Sequence, residues 1–455
     1  MRTWQKWFRG ALGGITLAGT VALAAETEQR VGELDQKVRI IERKLELAEE
    51  SAQAKAREAT LLKAGKDGFA LSSADGAFLL KLRGYVQTDA RFYLSDDEKP
   101  ATDTFALRRV RPIFEGVLGK SVDFRIMPDF GGGSTVLQDA YLGYTASPIL
   151  KLRIGKFKAP FGLERLQSAT DILFIERAHP TSLAPNRDIG LQVFGDVGDG
   201  VLQYALGAFN GVSDGGSADA DSNDGKDLVG RLFTEPLKNS EVPLLAGLGL
   251  GFAVSVGDQE GSVSAPGLPS FKTTGQQTFF SYKTSTNEAE AVIADGQRTR
   301  IGPQAWYYWN SLGVLAEYTV SSQEVLKGNK TKTLDNDAGQ VAISYVLTGE
   351  EASFKGVVPK KPLDPAKRQW GAWELAARLS QLNVDDAAFP DFADSKKSAK
   401  ATSTWGVGVN WYLSKNAKVG AEVFPPSINC GLPEIPTSPP QVRMPMSLPR
   451  PRCRK

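Results

Sequence analysis

Basic residues at two-residue spacing mark the region between positions 78 and 125. Arginine presents planar, fork-shaped donors that match phosphate oxygens, and lysine presents a point charge. Side chains two positions apart in a strand share one face, and a row of cations on a narrow wall draws anions inward. The basic residues of this proposed polar face are Lys81, Arg83, Arg91, Arg109, Arg111 and Arg125. The acids that accompany them are Asp89, Glu115, Asp123 and Asp129.

The opposite face of the first strand in this region is apolar. Phe78, Leu80, Leu82 and Val86 alternate with the charged residues for longer than an ordinary soluble strand runs. This pattern favours a wall between lipid and water, with the basic side wet. Exposed charges on a soluble sandwich are the alternative interpretation.

The sequence contains no constellation typical of catalysis. Its single histidine, His179, precedes Pro180 in a predicted loop, so neither a metal site nor a histidine-based triad can be assembled. No Walker-type loop or hydrolase elbow occurs, and the run 131–134 is better explained as a hairpin turn. We therefore expect no enzyme activity, no cofactor, no metal and no nucleic-acid partner.

The first 63 residues form two predicted segments. Residues 1–25 combine a basic start, an apolar run and the small residues Ala22-Leu23-Ala24, which indicates a cleaved secretory signal. A membrane anchor is the alternative, although the apolar run is short for a span. Residues 26–63 carry apolar side chains in steps of three and four, which favours a short self-associating coiled coil over a lone amphipathic helix. Dimer and trimer remain equally open from this pattern.

Residues 70–424 contain segments of about ten residues in which apolar and polar side chains alternate. Clusters of glycine, proline, aspartate and asparagine separate these segments. The pattern predicts about sixteen strands, one of them at 276–284. Short turns and long polar loops, with tryptophan and tyrosine clusters near strand ends, are typical of an all-β transmembrane antiparallel barrel. Backbone groups in lipid must all be paired, so such a sheet has to close on itself.

Several motifs in this region, taken in order and spacing, resemble the phosphate-selective porin O/P family of Gram-negative outer membranes. The segments that carry the resemblance lie at 107–112, 128–131, 137–141, 154–164, 175–177 and 405–412. The resemblance covers most of residues 76–420. It implies a sixteen-stranded trimeric barrel with an anion-selective, arginine-lined pore that is narrowed by an inward-folded loop.

The resemblance also implies roles for particular residues. An adjacent arginine pair early in the barrel belongs to the family's pore, and Arg108-Arg109 occupy that position. On a regular strand only one of the two can point inward, so a bulge or a rim location is needed for both. Lys156 and Lys158 match the start of the inward loop, which we expect to run to about residue 188. An acidic residue lies among the cations in related porins, and the candidates here are Asp123, Asp129 and Asp139.

The last 31 residues depart from the family pattern. Residues 425–455 contain nine prolines and both cysteines, and no terminal aromatic closes a strand. Proline cannot donate to a ladder, so we expect a disordered tail. A shifted reading frame is our preferred interpretation, and a genuine extension outside the barrel is the alternative.

The sequence thus predicts an outer-membrane channel for passive diffusion of phosphate or related anions. The predicted protein is a homotrimer in contact with outer-membrane lipid, with its N-terminal helix in the periplasm. Two alternatives stay open: a general, weakly anion-selective porin, and a non-conducting tether that acts through the coiled coil.

Overall fold

The computed structural model describes residues 5–58, 60–65, 68–93, 102–221, 223–394, 398–424 and 426–429. Helix α1 spans Gln5–Glu58 and covers most of the two predicted N-terminal segments without interruption. Apolar side chains at predicted coiled-coil positions, such as Val31 and Leu34, are 59% exposed. Leu61–Gly65 form a short strand, so the helix ends before the predicted boundary at 63. No helix of the described residues has the length and apolar character that crossing a membrane requires.

The rest of the described chain consists mainly of strands. They are β1 (Leu61–Gly65), β2 (Gly68–Ser72), β3 (Phe78–Arg91), β4 (Thr104–Leu118), β5 (Val122–Asp129), β6 (Val136–Ser147), β7 (Leu150–Lys158), β8 (Arg187–Val197), β9 (Leu202–Phe209), β10 (Asp227–Thr234), β11 (Leu248–Glu260), β12 (Ser270–Lys272), β13 (Thr278–Ser281), β14 (Val292–Trp309), β15 (Leu312–Lys327), β16 (Lys330–Val346), β17 (Ala372–Asn383), β18 (Ala401–Ser414), β19 (Ala417–Val423) and β20 (Pro426–Asn429). Three short helices interrupt them: α2 (Leu163–Leu166), α3 (Pro180–Leu183) and α4 (Pro243–Ala246). Two 3₁₀ turns lie at Pro365–Lys367 and Asp386–Ala388.

Eighteen of these strands belong to one antiparallel sheet. Neighbours along the chain pair with each other from β4 to β11, and β11 then pairs with β14. β12 and β13 form a separate two-stranded sheet in the intervening loop. The predicted strand at 276–284 therefore does not enter the barrel wall. Its run of aromatic residues packs instead into a cluster beside the loop, where Phe280 is fully buried.

The end of the barrel continues further than the sequence pattern predicts. β18 pairs with β19 through Val407 and Val423, and with β20 through Thr404 and Pro426. Both pairings have the same register, so β20 follows β19 along β18. The sheet thus extends into the first residues of the proline-rich tail. The remainder of the predicted tail, from 430, lies outside the described residues.

The two faces of the sheet have the opposite polarity to those of a soluble protein. Leu250, Phe252 and Val254 of β11 are exposed, whereas Arg300 of β14 and Ser321 of β15 are fully buried. Large exposed apolar surfaces mark contact with another apolar phase, and buried charges require partners. The outer face is therefore the lipid face of a transmembrane barrel.

Residues 159–186, which we call the inward segment, lie inside this barrel. The segment contacts widely separated strands, because Leu163 N donates to Glu317 of β15 at 2.7 Å and Ile175 N donates to Glu422 of β19 at 2.9 Å. Arg108 of β4 also reaches the segment, where it binds Glu176. Strands that are far apart in the sheet therefore contact one segment, which shows that the sheet curls around it.

Candidate functional site

A large cavity borders the inward segment and has a volume of about 1450 Å³. Twelve lysines and arginines line it, against four aspartates and glutamates. The basic residues are Lys81, Arg83, Arg111, Arg125, Arg153, Lys158, Arg177, Arg187, Arg231, Lys355, Lys415 and Lys418. The acids are Glu115, Asp139, Asp171 and Asp196. A formal excess of positive charge on the wall of a cleft produces a potential that favours anions over cations.

Arg153 of β7 is held in this cavity by aromatic rings. Its guanidinium carbon lies 4.3 Å from the centroid of Tyr141 and 4.9 Å from that of Phe194. Phe157 lies 5.5 Å away. Such cation–π contacts fix a guanidinium without neutralising its charge. Within the described chain Arg153 forms no ion pair, so no acidic side chain there neutralises its charge.

Arg108 and Arg109 both reach the inward segment because β4 contains an extra residue at this point. Phe130 N donates to Val110 O at 2.9 Å, whereas Gly132 N donates to Leu107 O at 2.8 Å. Between these two hydrogen bonds the segment after β5 advances by two residues, from 130 to 132, whereas β4 advances by three residues, from 110 to 107. The extra residue in β4 is a β-bulge. The bulge turns two consecutive arginines toward the same carboxylate, which regular alternation would not permit.

That carboxylate belongs to Glu176 of the inward segment. Arg108 binds it through two hydrogen bonds, of 2.5 Å from Nε and 3.1 Å from one terminal nitrogen. Arg91 donates to it at 3.1 Å, and Arg109 lies 3.7 Å from its second oxygen. Burial alone would raise the pKa of Glu176, but the hydrogen bond from Arg108 and the charges of the three arginines lower it below its ordinary value. We call Arg91, Arg108 and Arg109 the arginine cradle.

A second carboxylate of the inward segment fixes it to the barrel wall. Glu164 accepts a hydrogen bond from Ala178 N at 2.8 Å and one from Gln340 of β16 at 3.1 Å. Nearby, Nε2 of His179 lies 3.2 Å from the hydroxyl of Thr404. Burial, and then the charge of Arg378, lower the pKa of His179 to about 4. His179 is therefore a buried neutral residue, although its position before Pro180 predicted only a loop.

The other predicted basic residues occupy several separate environments. Arg83 and Arg125 share Glu115, at 2.6 Å and 3.0 Å, and Lys81 lines the cavity beside them. Arg111 donates to the hydroxyl of Tyr85 at 2.7 Å. Lys158 donates to the carbonyl of Gln167 at 2.8 Å, within the inward segment. Lys156 instead forms an ion pair with Asp219 and does not line the cavity.

The three predicted acids also differ in their surroundings. Asp139 pairs with Arg187 at 3.0 Å and lines the cavity. Asp129 pairs with Arg111 at 2.7 Å, and its other oxygen accepts Val110 N at 3.0 Å beside the bulge. The carboxylate of Asp123 lies directly over Gly143 of the neighbouring strand. None of the three forms a hydrogen bond or an ion pair with a side chain of the arginine cradle within the described structure.

Comparison with known proteins identifies this arrangement. Residues 80–424 match the sequence profile of the family described as phosphate-selective porin O and P. The chain belongs to this porin family. Porin O of Pseudomonas aeruginosa is 25% identical over 388 residues, which cover 78% of this chain and 84% of Porin O.

Solved structures are also similar to this porin. The outer membrane channel DcaP of Acinetobacter baumannii has a TM-score of 0.49 and 12% identity, covering 80% of this chain and 94% of DcaP. The outer-membrane expressed OmpT of Vibrio cholerae has a TM-score of 0.46 and 14% identity, covering 76% and 86% respectively. Family membership makes the protein an outer-membrane channel and not an enzyme.

Seven of the twelve basic residues that line the cavity were not among the predicted site residues, and neither was Glu176. Glu176 belongs to a motif used for the resemblance, but no periodic pattern assigned it a place, since it lies in an irregular segment. Arg153 does lie in a predicted strand, two positions from Gly155. Its aromatic partners come from three strands, so only the pairing of β6, β7 and β8 reveals the cluster.

Proposed function

We propose that this porin passes phosphate or related small anions by passive diffusion. The observation that carries the proposal is the cavity beside the inward segment, with its twelve basic and four acidic lining residues. A phosphate is strongly hydrated, so it enters a narrow passage only where charged donors replace part of its water. Arginine and lysine side chains supply those donors.

Several cavity cations retain an uncompensated charge. Within the described part of the chain, the side chains of Lys81, Arg153 and Lys355 form no ion pair. Lys158 and Arg177 bond to backbone carbonyls and not to carboxylates. Several weak positions suit conduction better than one deep site, because a permeating ion must also leave.

The strength of phosphate recognition separates this function from a general, weakly anion-selective porin. Phosphate added to purified channels in a planar bilayer should block chloride current, because it binds the same cations more tightly. The triple variant K81Q/R153Q/K355Q should lose most of this block. The control K238Q/K330Q/K361Q removes three positive charges outside the cavity lining and should keep it. A chloride current that is indifferent to phosphate in the unmodified porin would contradict the proposal.

We extend the proposal to assembly and location. The porin is a homotrimer, residues 1–25 are removed on export, and residues 26–58 form a coiled coil in the periplasm. The exposed apolar side chains of α1, among them Val38, Ile41 and Leu45, support this, since they would be covered in a helical assembly. Removing residues 26–58, the helical part alone, should weaken the trimer and leave the selectivity of each pore unchanged. Equal trimer stability with and without the helix would contradict the coiled coil.

A further inference from the structure

Glu176 occupies the arginine cradle as a bound anion would. Its Oε1 contacts Nε of Arg108 at 2.5 Å and a terminal nitrogen of Arg91 at 3.1 Å. Its Oε2 contacts terminal nitrogens of Arg108 at 3.1 Å and of Arg109 at 3.7 Å. Both oxygens are therefore used, and each guanidinium of the cradle touches the same carboxylate.

A guanidinium recognises a carboxylate and a phosphate by the same geometry. Two parallel N–H donors bind two oxygens of either group, and charge strengthens both bonds. The cradle carries three positive charges, which Glu176 and Asp89 partly compensate; Asp89 pairs with Arg91 at 3.0 Å. A phosphate that reaches the cradle must take over donors that Glu176 already holds.

We propose that Glu176 is a built-in competitor that lowers the affinity of the arginine cradle for phosphate. Its carboxylate keeps the three arginines arranged for an anion, and it yields donors to phosphate on binding and recovers them on release. This inference rests on the proposed function, because it concerns how a permeating anion leaves. Rapid release is what converts an anion-binding site into a step of conduction.

A purely structural role for Glu176 makes a different prediction. Glu164 supplies the control, because it is also a buried carboxylate of the inward segment and binds Ala178 N and Gln340. It does not contact the cradle. If Glu176 only fixed the segment, E176Q and E164Q would both loosen the constriction and weaken phosphate binding.

The test compares phosphate block of chloride current in planar bilayers for the unmodified porin, E176Q and E164Q. We expect E176Q to reduce the half-blocking phosphate concentration about tenfold, which corresponds to about 1.4 kcal/mol. Slower phosphate release should accompany it, as longer single-channel blockages, and E164Q should not tighten block. Unchanged or weaker block in E176Q would overturn the inference.

A second variant covers the case in which E176Q does not assemble. D89N removes the carboxylate of Asp89, which pairs with Arg91 of the cradle. It should also lower the half-blocking phosphate concentration, by a smaller factor than E176Q does. An unchanged half-blocking concentration would overturn the inference. The proposed function fails separately, through an unmodified porin that is cation-selective or is not blocked by phosphate at all.

Discussion

The backbone of Gly131 lies directly against that of Arg109. A Cβ at position 131 would lie 2.8 Å from the Cα of Arg109 and 2.8 Å from the carbonyl oxygen of Arg108. Two residues of β4 thus oppose one residue that has no side chain. The bulge that brings two consecutive arginines to Glu176 therefore depends on the glycine across from it.

Replacing Gly131 with alanine should displace the bulge and weaken the cradle. The added methyl group meets backbone atoms, which cannot rotate away, so β4 must shift. We expect phosphate block of chloride current to need at least about threefold more phosphate, since a displaced arginine loses its aligned, charge-assisted bonds. Gly65→Ala is the control, because a Cβ there meets no atom within 4 Å. Equal block in both variants would show that the bulge does not matter for binding.

Arg153 should contribute to selectivity through its charge. Arg153→Gln keeps a polar side chain among Tyr141, Phe157 and Phe194 but removes the cation. We expect the ratio of anion to cation permeability to fall roughly twofold, because fixed charge in the cavity sets the local ion concentration. Lys238→Gln removes one charge at an exposed turn and should leave the ratio unchanged. The reversal potential under a salt gradient measures both, and an unaltered ratio in the Arg153 variant contradicts this role.

Arg300 should be essential for the stability of the barrel wall. Its fully buried guanidinium binds Asp214 at 2.7 Å and Asp227 at 2.9 Å. Arg300→Leu leaves these buried carboxylates without that partner, which costs about 3–5 kcal/mol. The temperature of barrel unfolding, followed by heat-dependent mobility in SDS gels, should fall clearly. Lys330→Leu breaks an exposed ion pair with Asp391, which solvent screens, and should leave the unfolding temperature almost unchanged. Equal falls in the two variants would refute the distinction.

His179 should remain neutral throughout the physiological pH range. Burial and the charge of Arg378 lower its pKa to about 4, from an ordinary value of 6.5. The neutral form thus favours the fold: this contribution is complete above pH 6.5 and is lost as the pH falls through 4. Because the chain has one histidine, ring NMR signals of labelled protein report it directly. A titration midpoint of the ring signals near pH 6.5 would indicate a solvated ring and would contradict the prediction.

The barrel could be predicted from the sequence because alternation survives in most of its strands. The two faces of β3 differ at almost every position, and Lys81 and Arg83 line the cavity as the period of two indicates. Periodicity reports only the direction of a side chain from a regular strand. It therefore could not indicate that Arg108 joins Arg109, since a bulge breaks the period.

Partners contributed by irregular segments could not be predicted. Lys156 contacts Asp219, which lies in a loop, and Asp129, Asp139 and Asp123 could not be ranked without the strand register. Phe280 illustrates a related failure, because a run of aromatic residues reads as a strand whether it enters the wall or packs in a loop. Such contacts depend on long-range packing, which local sequence patterns do not contain.

The reversal potential of purified channels in a planar bilayer under a potassium chloride gradient tests the central claim most directly. We expect it to lie near the equilibrium potential of chloride, because the basic residues of the cavity outnumber the acidic ones. Micromolar to millimolar phosphate should then reduce the chloride current. A reversal potential near that of potassium would contradict an anion channel.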